Sequence, residues 1–166
     1  MANICVITTG GTIGSVLEDG VLAVDEGGSK VACEIQAAAN TLGFNVDVVR
    51  PVNKNSESFS PADWLSVLAA IDVACASDVD GVVVLHGTDT MHYTLAAAAC
   101  FSGSKRVCFT GAMVSRELGG SDAHINLVAA MSFAADATYH VGSYLAFCDD
   151  ADRLSARVLH ASDVKP

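Results

Sequence analysis

Three stretches of this chain set small hydroxyl or carboxyl side chains beside glycine: Thr8-Thr9-Gly10-Gly11-Thr12-Ile13-Gly14, His86-Gly87-Thr88-Asp89-Thr90-Met91 and Thr110-Gly111-Ala112-Met113. A threonine hydroxyl attacks a carbonyl once a base takes its proton and donors steady the oxyanion. A carboxylate holds an ammonium group, and glycine lets the main chain approach a ligand closely. Thr12, Thr88 and Asp89 are therefore the side chains that could do chemistry, with Gly11 at the close approach. Ordinary readings stand beside these. Gly10-Gly11 also suits a plain turn after a strand, and Thr88-Asp89-Thr90 also suits a helix N-cap. The first stretch lacks the spacing of a dinucleotide fingerprint and the lysine of a phosphate loop. The five histidines, His86, His92, His124, His140 and His160, show no zinc spacing, and there is no Gly-x-Ser-x-Gly elbow. No cofactor and no metal are expected.

The elements around these stretches decide whether they can meet. Residues 3–9 are a continuous apolar run ending at Gly10-Gly11, as in a strand buried on both faces. After a loop with Gly20 and a short apolar piece at 21–24, residues 30–42 read as a helix closed by Gly43. Residues 44–50 follow as a strand. Ser60-Pro61-Ala62-Asp63 is a strong helix start, with Ser60 as N-cap, Pro61 at the first position and an acid in the first turn. That helix runs to about residue 77. Strands at 81–86, 106–110 and 143–148 and helices at 90–101 and 125–135 complete the alternation, and residues 149–166 show no clear element. Strands alternating with helices of this length predict α/β architecture: one doubly wound, mainly parallel sheet with helices on both faces, in one domain over residues 1–166. Ligands bind such sheets beyond the carboxyl ends of the strands, and all three glycine-bearing stretches begin there.

Composition narrows the function classes. The 166 residues are 51% hydrophobic, enough for one buried core. Nineteen acidic against nine basic residues give a net charge of −10, which phosphate backbones repel, so no nucleic acid is expected as a partner. No apolar run approaches the roughly 18 residues of a bilayer span, and Met1-Ala2-Asn3-Ile4 carries no basic region of a signal peptide. No membrane association and a cytoplasmic location are the expectation. Cys5, Cys33, Cys75, Cys100, Cys108 and Cys148 are spread without a C-x-x-C pair and read as buried free thiols.

Thr9-Gly10-Gly11-Thr12-Ile13, His86-Gly87-Thr88-Asp89-Thr90-Met91 and Thr110-Gly111-Ala112-Met113 together resemble the bacterial-type L-asparaginases. Ser121-Asp122 with Asn126-Leu127, and Ser60-Pro61-Ala62-Asp63-Trp64 with Ser56-Glu57 just upstream, are similar to further stretches of that family, in the family's order from near residue 3 to about residue 150. The resemblance implies an amidohydrolase acting on the C–N bond of a linear amide, asparagine first and glutamine or a related small amide second. It implies that Thr12 is the first catalytic threonine, Thr88 the second and Asp89 the carboxylate for the substrate ammonium. It also implies that Ser56 grips the α-carboxylate, that Glu57 assists at the ammonium, and that backbone at Gly87 and Ala112 lines the scissile amide.

This sequence departs from the family pattern in three places. Where the family carries an activating lysine in an Arg-x-x-x-Lys setting, Ala156-Arg157-Val158-Leu159-His160 stands here, which makes His160 the candidate base and Lys165 a weaker one. Residues 13–29 contain no tyrosine, although the family's loop has one, and offer Glu18, Asp19, Asp25 and Glu26 instead. The family's second domain has no counterpart, so a short single-domain form assembling as a homo-oligomer, dimer or tetramer, is expected. Two rivals accompany the hydrolase reading: a non-catalytic binder or sensor of small amino acids or amides on the same pocket, and an amidase component of a larger machine that processes charged transfer RNA. The acidic charge counts against the second.

Overall fold

The computed structural model of the chain describes residues 1–11, 15–18, 21–24, 28–101, 103–114, 120–148 and 155–165. The apolar runs become strands β1 (Asn3–Thr8), β4 (Asn45–Val49), β5 (Gly81–Leu85), β6 (Arg106–Thr110) and β7 (Gly142–Cys148). Between them lie helices α1 (Ser29–Leu42), α2 (Pro61–Ala76), α3 (Met91–Ala99) and α4 (Ala123–Ala135). Two short strands, β2 (Ser15–Glu18) and β3 (Val21–Val24), pair antiparallel as a separate hairpin where the sequence suggested a loop and a short apolar piece.

The main sheet has the order β4-β1-β5-β6-β7-β8, where β8 is Ala156–His160, with β4 to β7 and β1 all parallel. The chain steps outward from β1 to β4 and then returns past β1 to β5, so the connections leave β1 and β5 in opposite directions. In open α/β sheets such a reversal is where ligands bind, beyond the carboxyl ends of the two strands. Side chains alternate along each strand. Ile4 and Val6 of β1 and Val83 and Leu85 of β5 join Ile35 of α1 and Leu127 of α4 in one core layer. Cys5, Ile7, Val82 and Val84 join Val67 of α2 and Leu95 of α3 in the other. Helices thus cover both faces, as the alternation of elements predicts.

Two expectations are corrected here. The tail read as featureless contains β8 (Ala156–His160), which pairs antiparallel with β7, and a 3-10 turn at Ala161–Asp163. Its five residues carry one arginine and one histidine among apolar side chains, too short a pattern to register as a strand without β7 beside it. The cysteines are divided: Cys5, Cys75 and Cys108 are buried free thiols, while Cys33 and Cys100 are exposed. Among the described residues no helix is long and apolar enough to cross a membrane.

The α2 start closes as its sequence requires. The Ser60 side chain accepts from the Asp63 N–H, and the Asp63 carboxylate accepts from the Ser60 N–H at 2.8 Å. Lys54 Nζ reaches both carboxylate oxygens of Asp63 at 2.9 Å. The Ser60 hydroxyl first, and Lys54 next, hold the Asp63 carboxyl down at about 2 from its ordinary 3.8. Ser60→Ala is expected to cost about 1 kcal/mol at neutral pH, read by urea unfolding. Because the folded-state pKa is depressed, the contribution of Asp63 is complete above its ordinary pKa and is lost as pH falls toward 2. The penalty of Ser60→Ala should therefore shrink through that window.

Candidate active site

Register brings the three glycine-bearing stretches level. Thr8 of β1 pairs with Leu85 of β5, which pairs with Thr110 of β6. The ladder then runs one residue further, with Thr9 N–H donating to Leu85 O at 3.1 Å and His86 N–H to Thr110 O at 2.9 Å. The chain leaves all three strands at one line across the carboxyl edge.

Glycines let the exits touch. Gly10 and Gly11 hold φ of +101° and +81°, a region that disfavours side chains. A Cβ on Gly10 would stand 2.5 Å from Lys54 O, and one on Gly11 would stand 2.6 Å from Gly87 Cα. The ends of β1 and β5 are thus in main-chain contact, with residues 54–58 laid beside them. Lys54 N–H donates to Thr9 O at 3.0 Å, and the Thr90 hydroxyl donates to Ser56 O at 3.0 Å, which ties the turn Ser56–Ser58 to the start of α3. A Cβ on Gly87 would fall 2.6 Å from Ser56 Oγ. Ser56 is 1% exposed, and its hydroxyl has no hydrogen-bond partner among the described residues. Buried hydroxyls are nearly always paired, which among the described residues sets this one and that of Thr8 apart as polar groups open to a further partner.

Thr88 is half-buried, its methyl 3.7 Å from where a Cβ on Gly111 would be, with buried Ala112 next in chain. Asp89 and Glu57 are exposed, one on each side of the bond that joins Thr90 to Ser56. The structure therefore brings together Gly11, Gly87, Ser56 and Thr88, with Ala112, Asp89 and Glu57 on the segments that carry them. Thr12 lies outside the described residues; its neighbour Gly11 rests against Gly87.

His160 is not brought to this edge. Antiparallel pairing sets Ala156 opposite Cys148 at the carboxyl end of β7 but His160 opposite Tyr144, partway back along it. The imidazole is exposed, stands edge-on to Tyr144 at 5.2 Å and bonds Ser162 Oγ through Nδ1 at 2.8 Å. Two strands, β6 and β7, separate it from β5, about 14 Å at ordinary strand spacing. Lys165 is exposed beyond the turn that follows β8.

Two residues that the sequence offers only as part of the family resemblance, with no role attached, hold the third exit. Asp122 is 2% exposed and accepts from the N–H groups of Met113 and Val114 at 3.1 Å and from Asn126 Nδ2 at 3.0 Å. Asn126, fully buried, also donates to Gly111 O at 3.0 Å and accepts from Cys148 N–H at 2.7 Å. One amide thereby joins the ends of β6 and β7 to α4. The visible signal was an acid and an amide four apart, one helical turn, at a helix start. His86 was likewise noted only as a strand end. It is buried, and burial pushes its pKa below the ordinary histidine value.

Residues 3–165 match the family model described as "Asparaginase, N-terminal". The chain is 34% identical over 139 residues to a glutamyl-tRNA(Gln) amidotransferase subunit of Nanoarchaeum equitans and 37% identical over 149 residues to its counterpart in Thermoplasma acidophilum. These alignments cover 81% and 84% of this chain but 34% of each relative, so the chain spans about a third of their length. Among solved structures, the thermostable L-asparaginase from Thermococcus kodakarensis superposes with a TM-score of 0.75 at 30% identity, covering 89% of this chain and 44% of that one. A probable cytoplasmic L-asparaginase from Campylobacter jejuni superposes with a TM-score of 0.80 at 25% identity, covering 98% and 47%.

Proposed function

The chain belongs to the asparaginase family through its N-terminal domain, and from that premise we propose that it cleaves the side-chain amide of asparagine, or of glutamine or a related small amide, to the acid and ammonia. The observation that carries this reading is the buried Ser56 hydroxyl, without a partner among the described residues, held against Gly87 where β1 and β5 exit. A free amino acid needs a donor for its carboxylate and an anion for its ammonium, both fixed relative to the nucleophile. Ser56 takes the first role and Asp89 the second, with Glu57 assisting. Gly11, Gly87 and Ala112 supply main chain to the scissile amide. Thr12 attacks the amide carbonyl, its proton passing through Thr88 and a nearby base to the nitrogen that leaves as ammonia. Water then cleaves the acyl ester to release the acid and restore the Thr12 hydroxyl. His160 has no part in this reading, because β8 carries it along the far edge of the sheet.

The test is ammonia release from asparagine and glutamine by the pure protein. Thr12→Ala should abolish it. Ser56→Ala, which removes a hydrogen bond to a charged group, should raise KM about tenfold to a hundredfold with kcat nearly unchanged. No release by the wild type, with aspartate still bound, selects the non-catalytic binder. Neither release nor binding ends both readings.

The relatives named as amidotransferase subunits favour a second reading, in which the same chemistry serves a larger assembly with a different protein as partner. Turnover that appears only with a co-purifying partner supports it; a self-sufficient homo-oligomer in gel filtration opposes it.

A further inference from the structure

Gly87 cannot be oriented by a side chain of its own, since a Cβ there would strike Ser56 Oγ and Cβ at 2.6 and 2.8 Å. Something else must choose the direction of its peptide. His86 lies directly beneath, 1% exposed, its ring 5.1 Å from that of Phe59 and 6.4 Å from that of Phe109. Its two nitrogens reach different partners. Nδ1 is 2.9 Å from Gly87 O, and Nε2 is 2.9 Å from the hydroxyl of Thr94 on α3.

A carbonyl only accepts, so Nδ1 carries the ring proton; Nε2 is then a lone pair, and the Thr94 hydroxyl donates to it. Burial keeps the ring neutral by disfavouring the imidazolium. The Gly87–Thr88 peptide is not cis, so its carbonyl and the Thr88 N–H point in opposite directions. Drawing Gly87 O down to the imidazole turns the Thr88 N–H away from it, and that N–H has no acceptor among the described residues.

We infer that His86 and Thr94 form a positioning pair: Thr94 selects the Nδ1–H tautomer of His86, and His86 in turn fixes the Gly87–Thr88 peptide and hence the placement of Thr88. Neither residue touches substrate. The tautomer is a property of the fold, whereas its kinetic consequence rests on the amide-hydrolase reading given above.

The experiment has two arms. In the first, nitrogen NMR of the full chain labelled in histidine is expected to show His86 protonated on Nδ1 and not titrating through neutral pH, with Thr94→Val moving the Nε2 resonance. Protonation on Nε2 overturns the inference whether or not the protein has amidase activity. The second arm compares His86→Phe, which keeps a ring without nitrogen, with His86→Asn, whose amide places an N–H near the Nδ1 position. His86→Phe should lose about a hundredfold in kcat with a smaller change in KM, and His86→Asn should recover most of it. Equal kcat for wild type and His86→Phe, or a His86→Asn no better than His86→Phe, overturns the inference, because a ring that merely fills the core would alter melting temperature without that pattern. If His86→Phe fails to fold, Thr94→Val decides: a kcat loss together with the moved resonance supports the pair, and an unchanged kcat overturns it. Should the wild type prove inactive, the amidase reading falls while the NMR arm still decides this one.

Discussion

Gly11→Ala is expected to cost this protein at least about a hundredfold in amide turnover, or in amino-acid binding if it does not turn over, together with a lowered melting temperature. Two effects act at once. A φ of +81° strains an alanine by about 1–3 kcal/mol. The added methyl would also sit 2.6 Å from Gly87 Cα and 2.8 Å from Gly87 N, main-chain atoms that cannot step aside without moving the end of β5. Separating these exits displaces Thr88 and uncovers Ser56. Gly43→Ala is the matched control: its φ is +68°, but nothing lies within 4 Å of the new methyl. It should lose some stability and no activity. Full activity in Gly11→Ala would mean that contact between the exits of β1 and β5 does not build the site.

The second large effect is expected at Asp122. Removing its carboxylate, itself 2% exposed, with Asp122→Ala leaves the part-buried N–H groups of Met113 and Val114 and one buried Asn126 hydrogen without their acceptor. Leaving these neutral donors without their charged acceptor costs about 3 kcal/mol, which for a chain of this length lowers the melting temperature by about 10 °C. Urea unfolding measures it directly. Asp122→Asn should fall between wild type and alanine, because its oxygen still accepts while its amide hydrogens face other donors. A loss below about 1 kcal/mol would show that the loop after β6 finds other acceptors easily. The change should also reach ligand affinity, since the same carboxylate shapes the main chain that follows Gly111 and Ala112.

Both residues show how the legible and the illegible divide. Elements with strong local punctuation could be read directly. Ser60 and Asp63 announced the α2 start, Gly43 announced the α1 stop, and the fully buried strands β1, β5 and β6 stood out as unbroken apolar runs. The glycine, threonine and aspartate clusters stood out too, because three of them fall at strand exits, although each alone also suits a turn or a helix cap. Asp122 and Asn126 were visible as letters but not as a clamp, since their partners Gly111 and Cys148 lie 15 and 22 residues away. The last strand stayed hidden because β8 owes its existence to β7.

By itself the sequence determined the alternation of the parallel strands with their helices, the strand exits where chemistry can gather, and the side chains available there. Caps, apolar periods and glycine turns act over one to five residues, so one chain suffices to read them. Tertiary structure alone decided that Thr8, Leu85 and Thr110 stand level, that Gly11 meets Gly87, that Ser56 has no partner among the described residues, and that His160 is carried away from the edge. Register is a sum over many strand pairs and two packed helix layers, and a shift of one residue would turn every side chain of a strand to the other face. No local stretch contains that sum.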